Sequence, residues 1–267
     1  MIEFEGKDIR TLNRRSSKGN QMKFERDGFW YKTDYLGYEG LAEYVVSLLL
    51  SFSTLGKDEF IRYDLEQISY HGNVFHGCRS RDFLDGWQLI TLERLLEQTY
   101  GQGMSRIVYS IPDHQERLKT LVNLLNGATG LDFGVYMSQT LTVDTFFLNE
   151  DRHSHNLAVL TNDRHEYRYC PIFDNGAALM SDTSLEYPLH QDPLRMIPRV
   201  KPKTFCESFD EQLDIAEALY GNQIHFSFTY QDISDIAHGA DGLYSPEVLQ
   251  RVIDILMHQR RKYAYLF

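Results

Sequence analysis

The 267-residue chain contains 27 basic and 38 acidic residues, which gives a formal net charge of −11, and 42% of its residues are hydrophobic. That length is sufficient for one large domain or two lobes with a sizeable core, and the negative charge argues against bulk binding of nucleic acid or of an anionic membrane. The sequence shows no signal peptide, no apolar run long enough to span a bilayer and no C-x-x-C pair among its three cysteines. We therefore expect a cytoplasmic protein without a membrane span.

The first part of the chain is predicted to be rich in β-strands. Extended patterns flank the dipeptide Asp27-Gly28, which is a strong hairpin signal. The second strand of this hairpin carries Lys32 on one face. A helix that is apolar on nearly every side follows over residues 41–50, and residues 58–77 return to a strand-like pattern.

Glu43 is the only charged residue in the apolar helix. A carboxylate in such a helix is costly unless it is paired, and Lys32 on the preceding strand is a suitable partner. Two interpretations stay open: a structural ion pair or a water-facing Glu43, and a pair that positions the α and β phosphates of ATP.

A short polar loop precedes the hairpin and contains Ser17, Gly19 and Asn20. Its backbone N–H groups could cradle phosphate. The alternative is an ordinary surface turn.

The rest of the chain is predicted to be mainly helical. Apolar residues recur at spacings of three and four over residues 89–96, 115–125, 136–148 and 246–267. The predicted fold class is therefore α+β, with a small β-rich N-terminal lobe over residues 1–80 that contains one buried helix. A larger, mainly α C-terminal lobe is predicted over residues 81–267.

A spacing of polar residues predicts a metal site in the second lobe. Asn156 follows Asp151 by five residues, and Asp174 follows the second of two predicted antiparallel strands, over residues 157–161 and 169–173. If residue 157 faces residue 173, then Asn156 faces Asp174 at about 5 Å, where both can bind Mg²⁺. Asp151 would then orient or deprotonate an incoming hydroxyl. Ordinary turns are the alternative at each motif.

Two further features carry alternatives. His153 and His155 suggest zinc, although a third and a fourth ligand are missing from the pattern. Basic residues without an intervening acid lie at Arg195, Arg199, Lys201 and Lys203. This basic segment is either a solvated loop or a docking segment for substrate or phosphate.

Taken in order, these motifs resemble those of the HipA-like kinases, including the shorter CtkA-type bacterial proteins, and more distantly the phosphoinositide kinases. Residues 151–156, D-R-H-S-H-N, resemble the D-R-H-x-x-N catalytic loop, and residues 172–176 resemble the metal-binding D-x-G motif. Residues 17–21 are similar to the S-x-G-x-Q phosphate loop, Lys32 to the strand lysine and Glu43 to the helix glutamate.

The resemblance implies a bilobed protein-kinase-like fold that uses ATP and Mg²⁺ to phosphorylate a serine or threonine of a protein substrate whose identity the sequence does not reveal. Lys32 would hold phosphates with the loop of Ser17, Gly19 and Asn20, and Glu43 would orient Lys32. The resemblance also implies that Ser16 or Ser17 is a site of autophosphorylation.

The remaining roles implied by the resemblance belong to the catalytic loop and the metal motif. Asp151 would position the acceptor hydroxyl, and His153 would support the loop or stabilise developing charge. Asn156 and Asp174 would bind the metal. Two other functions stay open, a phosphatidylinositol (lipid) kinase and a nucleotide-binding pseudokinase that acts as an interaction module.

Overall fold

The computed structural model describes residues 1–10, 21–203 and 205–267. The described strands are β1 (Ile2–Phe4), β2 (Lys23–Arg26), β3 (Phe29–Thr33), β4 (Asp64–Tyr70), β5 (Asn73–Arg81), β6 (Gln88–Thr91), β7 (Ala158–Thr161) and β8 (Tyr167–Tyr169). The described α-helices are α1 (Glu39–Leu50), α2 (Leu92–Tyr100), α3 (Met104–Tyr109), α4 (His114–Thr129), α5 (Phe133–Phe147), α6 (Pro193–Met196), α7 (Phe209–Tyr220), α8 (Tyr230–His238) and α9 (Pro246–Lys262).

The chain forms two compact units, and each is built from separate stretches of sequence. Unit 1 comprises residues 1–83, 174–200 and 226–267, and unit 2 comprises residues 84–173 and 201–225. The sequence predicted a single division of the chain, between residues 80 and 81. The contacts instead group the later residues of unit 1 with its N-terminal sheet.

A five-stranded sheet forms the framework of unit 1, with the strand order β1-β4-β5-β3-β2. Strands β1 and β4 are parallel, and the other neighbours are antiparallel. Phe4, Phe24, Tyr31 and Ile68 form a buried cluster on this sheet.

The turns of this sheet follow the sequence signals. Asp27 and Gly28 have φ angles of 53° and 75°, and His71 and Gly72 have φ angles of 50° and 77°. Two successive positive φ angles match the twist of a two-residue hairpin, and glycine adopts such angles without steric cost. The hairpin predicted at Asp27-Gly28 is therefore confirmed.

Helix α1 lies very close to the sheet of unit 1. A Cβ added to Gly40 would lie 2.6 Å from Cα of Gly77, and one added to Gly77 would overlap the carbonyl oxygen of Lys32. Both positions therefore need glycine, because any side chain would push α1 or β3 away from β5. The helix predicted over residues 41–50 is confirmed, and it begins two residues earlier.

Unit 2 combines helices α2 to α5 and α7 with a three-stranded antiparallel sheet of order β6-β7-β8. Its core includes Leu92, Leu121, Phe133 and Leu141, all buried. Helices α4 and α5 lie where helices are predicted over residues 115–125 and 136–148, and in unit 1 α9 lies within the predicted range 246–267.

Two sequence predictions in unit 2 are wrong. The first three residues of the helix predicted over residues 89–96 lie instead in strand β6, and α2 begins at Leu92, where the side chain of Thr91 accepts a hydrogen bond from the N–H of Arg94 as an N-cap. In the β7–β8 pair, Val159 faces Tyr169, whereas the predicted register would place it opposite Pro171. The pairing is offset by two residues because β8 begins and ends earlier than the apolar run suggests.

Within the described parts of the chain, every helix falls short of the length and apolar character that crossing a membrane requires.

Candidate functional site

Three charged side chains meet in unit 1. Nζ of Lys32 lies 2.6 Å from Oε1 of Glu43 and 2.7 Å from Oδ1 of Asp174. The Glu43 side chain is 1% exposed, whereas that of Asp174 is 24% exposed and can be reached from solvent. One ammonium group therefore joins a buried carboxylate to a carboxylate that is open to a ligand.

Local structure places each of these groups. Lys32 lies on β3 opposite Cys78 of β5, and Glu43 lies one helical turn into α1. The close approach at Gly40 and Gly77 brings α1 near the strand that carries Lys32. The sequence predicted that Glu43, the lone charge of an apolar helix, pairs with Lys32. The structure brings these two side chains into contact.

Burial and charge compete at this cluster. Burial acts to lower the pKa of Lys32, but the facing carboxylates of Asp174 and Glu43 outweigh it and raise that pKa well above its ordinary value. Burial raises the pKa of Glu43, with Lys32 opposing and Asp174 adding to the shift. Lys32 therefore stays charged and is suited to hold anionic oxygens.

The backbone beside Asp174 is held in an unusual conformation. Asp174 has a φ of 59°, in the left-handed region, which aspartate tolerates better than most residues. The N–H of Asn175 donates to Oε2 of Glu43 at 2.8 Å. Glu43 thus binds the Lys32 ammonium with one oxygen and fixes the residue after Asp174 with the other.

The loop from Asn149 to Asn156 lies in unit 2 and is anchored by a buried ion pair. Nε of Arg152 donates to both carboxylate oxygens of Asp144 on α5, at 3.0 and 3.1 Å. Nη1 of Arg152 donates to the carbonyl oxygens of Asn156 and Phe173, at 3.2 and 2.5 Å. Burial raises the pKa of Asp144 to about 6, against the opposing effect of Arg152. Arg152 therefore ties the end of the loop to α5 and to the residue that precedes Asp174 in the chain.

Asp151 is surrounded by polar groups within unit 2. Its Oδ1 lies 3.2 Å from Nζ of Lys203, and its Oδ2 lies 3.8 Å from Nε2 of His153. Nδ2 of Asn156 donates to the carbonyl oxygen of Asp151 at 3.0 Å. Because the amide nitrogen of Asn156 is used in this bond, its amide oxygen is the atom available for a metal.

Asp174 and Asn156 each carry a side-chain oxygen of the kind that Mg²⁺ prefers. This ion takes oxygen ligands such as carboxylates and usually takes only one or two protein carboxylates. Within unit 1 Asp174 offers a carboxylate, and within unit 2 Asn156 offers an amide oxygen. The offset of the β7–β8 register removes the strand-pairing argument by which the sequence analysis connected the two residues.

The predicted phosphate loop is not part of the described structure, because Ser16, Ser17, Gly19 and Asn20 lie outside the described residues.

A group of possible metal ligands lies elsewhere in unit 2, away from the histidines of the catalytic loop. The ligand atoms of His114, Cys206 and Glu211 lie within 4.8 Å of one another. Each of these three side chains has a protein partner: Nδ1 of His114 lies 2.5 Å from Glu211, and the thiol of Cys206 donates to the carbonyl oxygen of Ser208.

Comparison with known proteins gives a structural match only. No protein-family profile matches the chain, and none of the curated proteins matches it in sequence. The structure is similar to the crystal structure of the Helicobacter pylori proinflammatory kinase CtkA, with a TM-score of 0.62 over 98% of this chain and 94% of that chain. The fold is kinase-like. The predicted fold class is therefore confirmed. Because the sequence identity is 14%, this likeness concerns the fold alone.

Two side chains of the site were not given a role by the sequence analysis. Asp144 is the lone charged residue of apolar helix α5, which is the same signal that pointed to Glu43 in α1. Arg152 lies inside the D-R-H motif. Its role in holding the loop depends on the four oxygen atoms that accept its hydrogen bonds, which the sequence does not reveal. Lys203 belongs to the basic segment, where phosphate docking was one of two interpretations.

Proposed function

We propose that this protein is an ATP-dependent serine/threonine kinase that uses Mg²⁺. The observation that carries the proposal is the contact of Lys32 with buried Glu43 and with Asp174. An exposed ion pair contributes little to stability, and a buried one costs desolvation. A buried glutamate that fixes a lysine beside an accessible aspartate is better explained by anion and metal binding than by stability.

In the proposed reaction Lys32 binds phosphate oxygens of ATP, and Glu43 keeps its ammonium in place. Asp174 and Asn156 would hold Mg²⁺, which neutralises charge on the phosphates when bound. Asp151 would orient the acceptor hydroxyl and accept its proton. His153 would keep the carboxylate of Asp151 in position. The phosphate-loop roles of Ser17, Gly19 and Asn20 stay predictions.

The test is transfer of labelled γ-phosphate from ATP in the presence of Mg²⁺. The acceptors are casein, myelin basic protein and vesicles that contain phosphatidylinositol. We expect label on protein, and we expect Asp174→Asn and Glu43→Gln each to lower the rate about 10²-fold or more, since each removes a charge that acts on the transferred group directly or through Lys32. Asp58→Asn is the matched control, because Asp58 is an exposed carboxylate of unit 1.

Each contrary result has a definite meaning. Protein labelling that survives Asp174→Asn contradicts the metal assignment. Label on lipid alone identifies a lipid kinase. Tight binding of ATP by the wild type without transfer to any acceptor identifies a pseudokinase.

Autophosphorylation is a separate part of the proposal. Prolonged incubation with ATP and Mg²⁺ should add one phosphate mass to the tryptic peptide that contains Ser16 and Ser17. An unchanged mass for this peptide in an enzyme that phosphorylates casein contradicts it.

A further inference from the structure

Lys203 contacts Asp151 across 52 residues of sequence, with Nζ 3.2 Å from Oδ1. The Lys203 side chain is 43% exposed, whereas that of Asp151 is 11% exposed. The lysine therefore reaches from the surface to a largely buried carboxylate, and a large part of its side chain stays open to solvent.

The backbone around Lys203 is anchored to two helices of unit 2. The hydroxyl of Tyr109, at the end of α3, donates to the carbonyl oxygen of Lys203 at 2.7 Å. Nη1 of Arg117 on α4 donates to the carbonyl oxygen of Phe205 at 2.8 Å. These bonds hold the backbone at Lys203 and at Phe205, two residues later, so the fold helps to place Lys203 near Asp151.

A neighbouring lysine shows what an ordinary surface pair looks like in the same segment. Nζ of Lys201 lies 2.8 Å from Glu207, and the two side chains are 60% and 84% exposed. Such exposed pairs contribute little to stability. Lys201 and Lys203 are two residues apart, and only Lys203 is directed to the carboxylate with a proposed role in the reaction.

We propose that Lys203 is a catalytic residue whose ammonium group stabilises the transferring phosphoryl group; this inference rests on the proposed kinase function. The bond from the γ-phosphorus to the bridging oxygen breaks, and ADP leaves with its electron pair. The acceptor oxygen bonds to phosphorus, and the hydroxyl proton passes to the carboxylate of Asp151. Lys203 keeps all its protons throughout.

The chemistry of an ammonium group suits this position. Lysine has three N–H donors, so one bond to Asp151 leaves two for phosphoryl oxygens. Negative charge on those oxygens is what kinases and related enzymes stabilise with fixed cations in the transition state. His153 presents an imidazole nitrogen 3.8 Å from Oδ2 of Asp151, whereas Lys203 presents an ammonium nitrogen 3.2 Å from Oδ1.

The test compares Lys203→Met, Lys203→Arg and the control Lys201→Met in steady-state transfer from MgATP to casein. We expect Lys203→Met to lower kcat about 10²-fold while KM for ATP stays within about threefold, because the interaction is stronger in the transition state. Lys203→Arg should retain much of the rate because it keeps the cation. We expect each variant to stay folded at the assay temperature, and its thermal midpoint checks that a fall in kcat does not come from loss of folded protein.

A second measurement tests the role of Lys203 by ligand binding, without catalytic turnover. Calorimetric titration with MgADP, in the presence and absence of aluminium fluoride, measures affinity for a mimic of the transferring group. Lys203→Met should weaken the aluminium fluoride complex at least about 10-fold more than it weakens MgADP alone.

Four results would overturn the role of Lys203, and the last of them would also contradict the proposed kinase function. An unchanged kcat in Lys203→Met removes the catalytic role, and a higher kcat shows that Lys203 blocks Asp151 instead. An equal loss in Lys201→Met shows a general effect of positive charge. If the wild type binds no MgADP at all, the proposed kinase function itself fails, and the inference fails with it.

Discussion

Asp34 is a buried carboxyl one residue after β3, in unit 1. The N–H of Gly40 donates to its Oδ1 at 2.5 Å, and the hydroxyl of Tyr244 donates to its Oδ2 at 2.8 Å. Burial raises the pKa of Asp34 to about 7, although both hydrogen bonds oppose the shift, and Glu39 adds to it. The folded protein therefore holds a proton at Asp34 that the unfolded chain releases near its ordinary pKa of 3.8.

This proton makes stability depend on pH. Because the folded state binds the proton more tightly, the contribution of Asp34 to the free energy of unfolding is complete below about pH 4 and is lost as the pH rises to about 7. Asp34→Asn removes this titration. The wild type should lose on the order of 4 kcal/mol or less, relative to Asp34→Asn, between about pH 4 and pH 8.

Urea unfolding at several pH values measures the difference between the two proteins. Asp58→Asn, at an exposed carboxyl of the same unit, should follow the wild type at every pH. Parallel pH profiles for wild type and Asp34→Asn would contradict the raised pKa.

At the residue scale, the sequence was informative where a charge stood alone among apolar residues. Glu43 and its contact with Lys32 could be anticipated because a buried carboxylate needs a partner. The contact of Asp174 with Lys32 could not, because 142 residues separate them and strand pairing alone suggested Asn156 as its neighbour. The contact of Lys203 with Asp151 depends on anchors from α3 and α4 that sequence spacing does not reveal.

Helix α5 and the loop after it are connected by the ion pair of Asp144 and Arg152. Both side chains are almost fully buried, at 1% and 3% exposed. Removal of one partner from a buried pair leaves the other charge uncompensated, which costs about 3 to 5 kcal/mol. The position of the loop from Asn149 to Asn156 therefore depends on both residues.

We expect Arg152→Met to lower the free energy of unfolding by about 3 to 5 kcal/mol. The double variant Asp144→Asn with Arg152→Met should recover part of this loss, because no charge is then left buried. Urea unfolding of the single and double variants measures the coupling. Additive losses in the double variant would show that the pair does not act as a unit.

At the element scale, the sequence predicted long apolar helices well and short strands poorly. Helices α4 and α5 have enough turns for their periodicity to be recognised, and α1 contains a long, nearly continuous apolar run. The four residues of β6 run directly into α2, so their apolar pattern merges with that of the helix. The β7–β8 register depends on where the three-residue β8 begins, and the polar stretch before it gives no signal for that point.

For the whole molecule, the net charge of −11 is the dominant long-range property. The basic segment from Arg195 to Lys203 is a local exception. Bulk binding to nucleic acid requires many phosphate contacts by basic residues, and the net negative charge of the chain opposes it.

We expect no measurable binding of a DNA duplex at about 0.15 M salt and protein concentrations up to about 10 μM. Fluorescence anisotropy of a labelled duplex measures this, with Arg195→Glu combined with Arg199→Glu as a comparison. Binding of the wild type that is lost in this variant would show that the basic segment overrides the net charge.

The left-handed backbone at Asp174, with a φ of 59°, restricts which amino acids can occupy this position. Glutamate carries the same carboxylate, but its longer side chain disfavours this region of backbone conformation, whereas aspartate and asparagine are among the residues enriched there. Glycine accepts the conformation but offers no ligand. Selection on geometry and selection on chemistry therefore converge on aspartate, which combines this backbone conformation with a charged carboxylate, whereas asparagine satisfies the geometry alone.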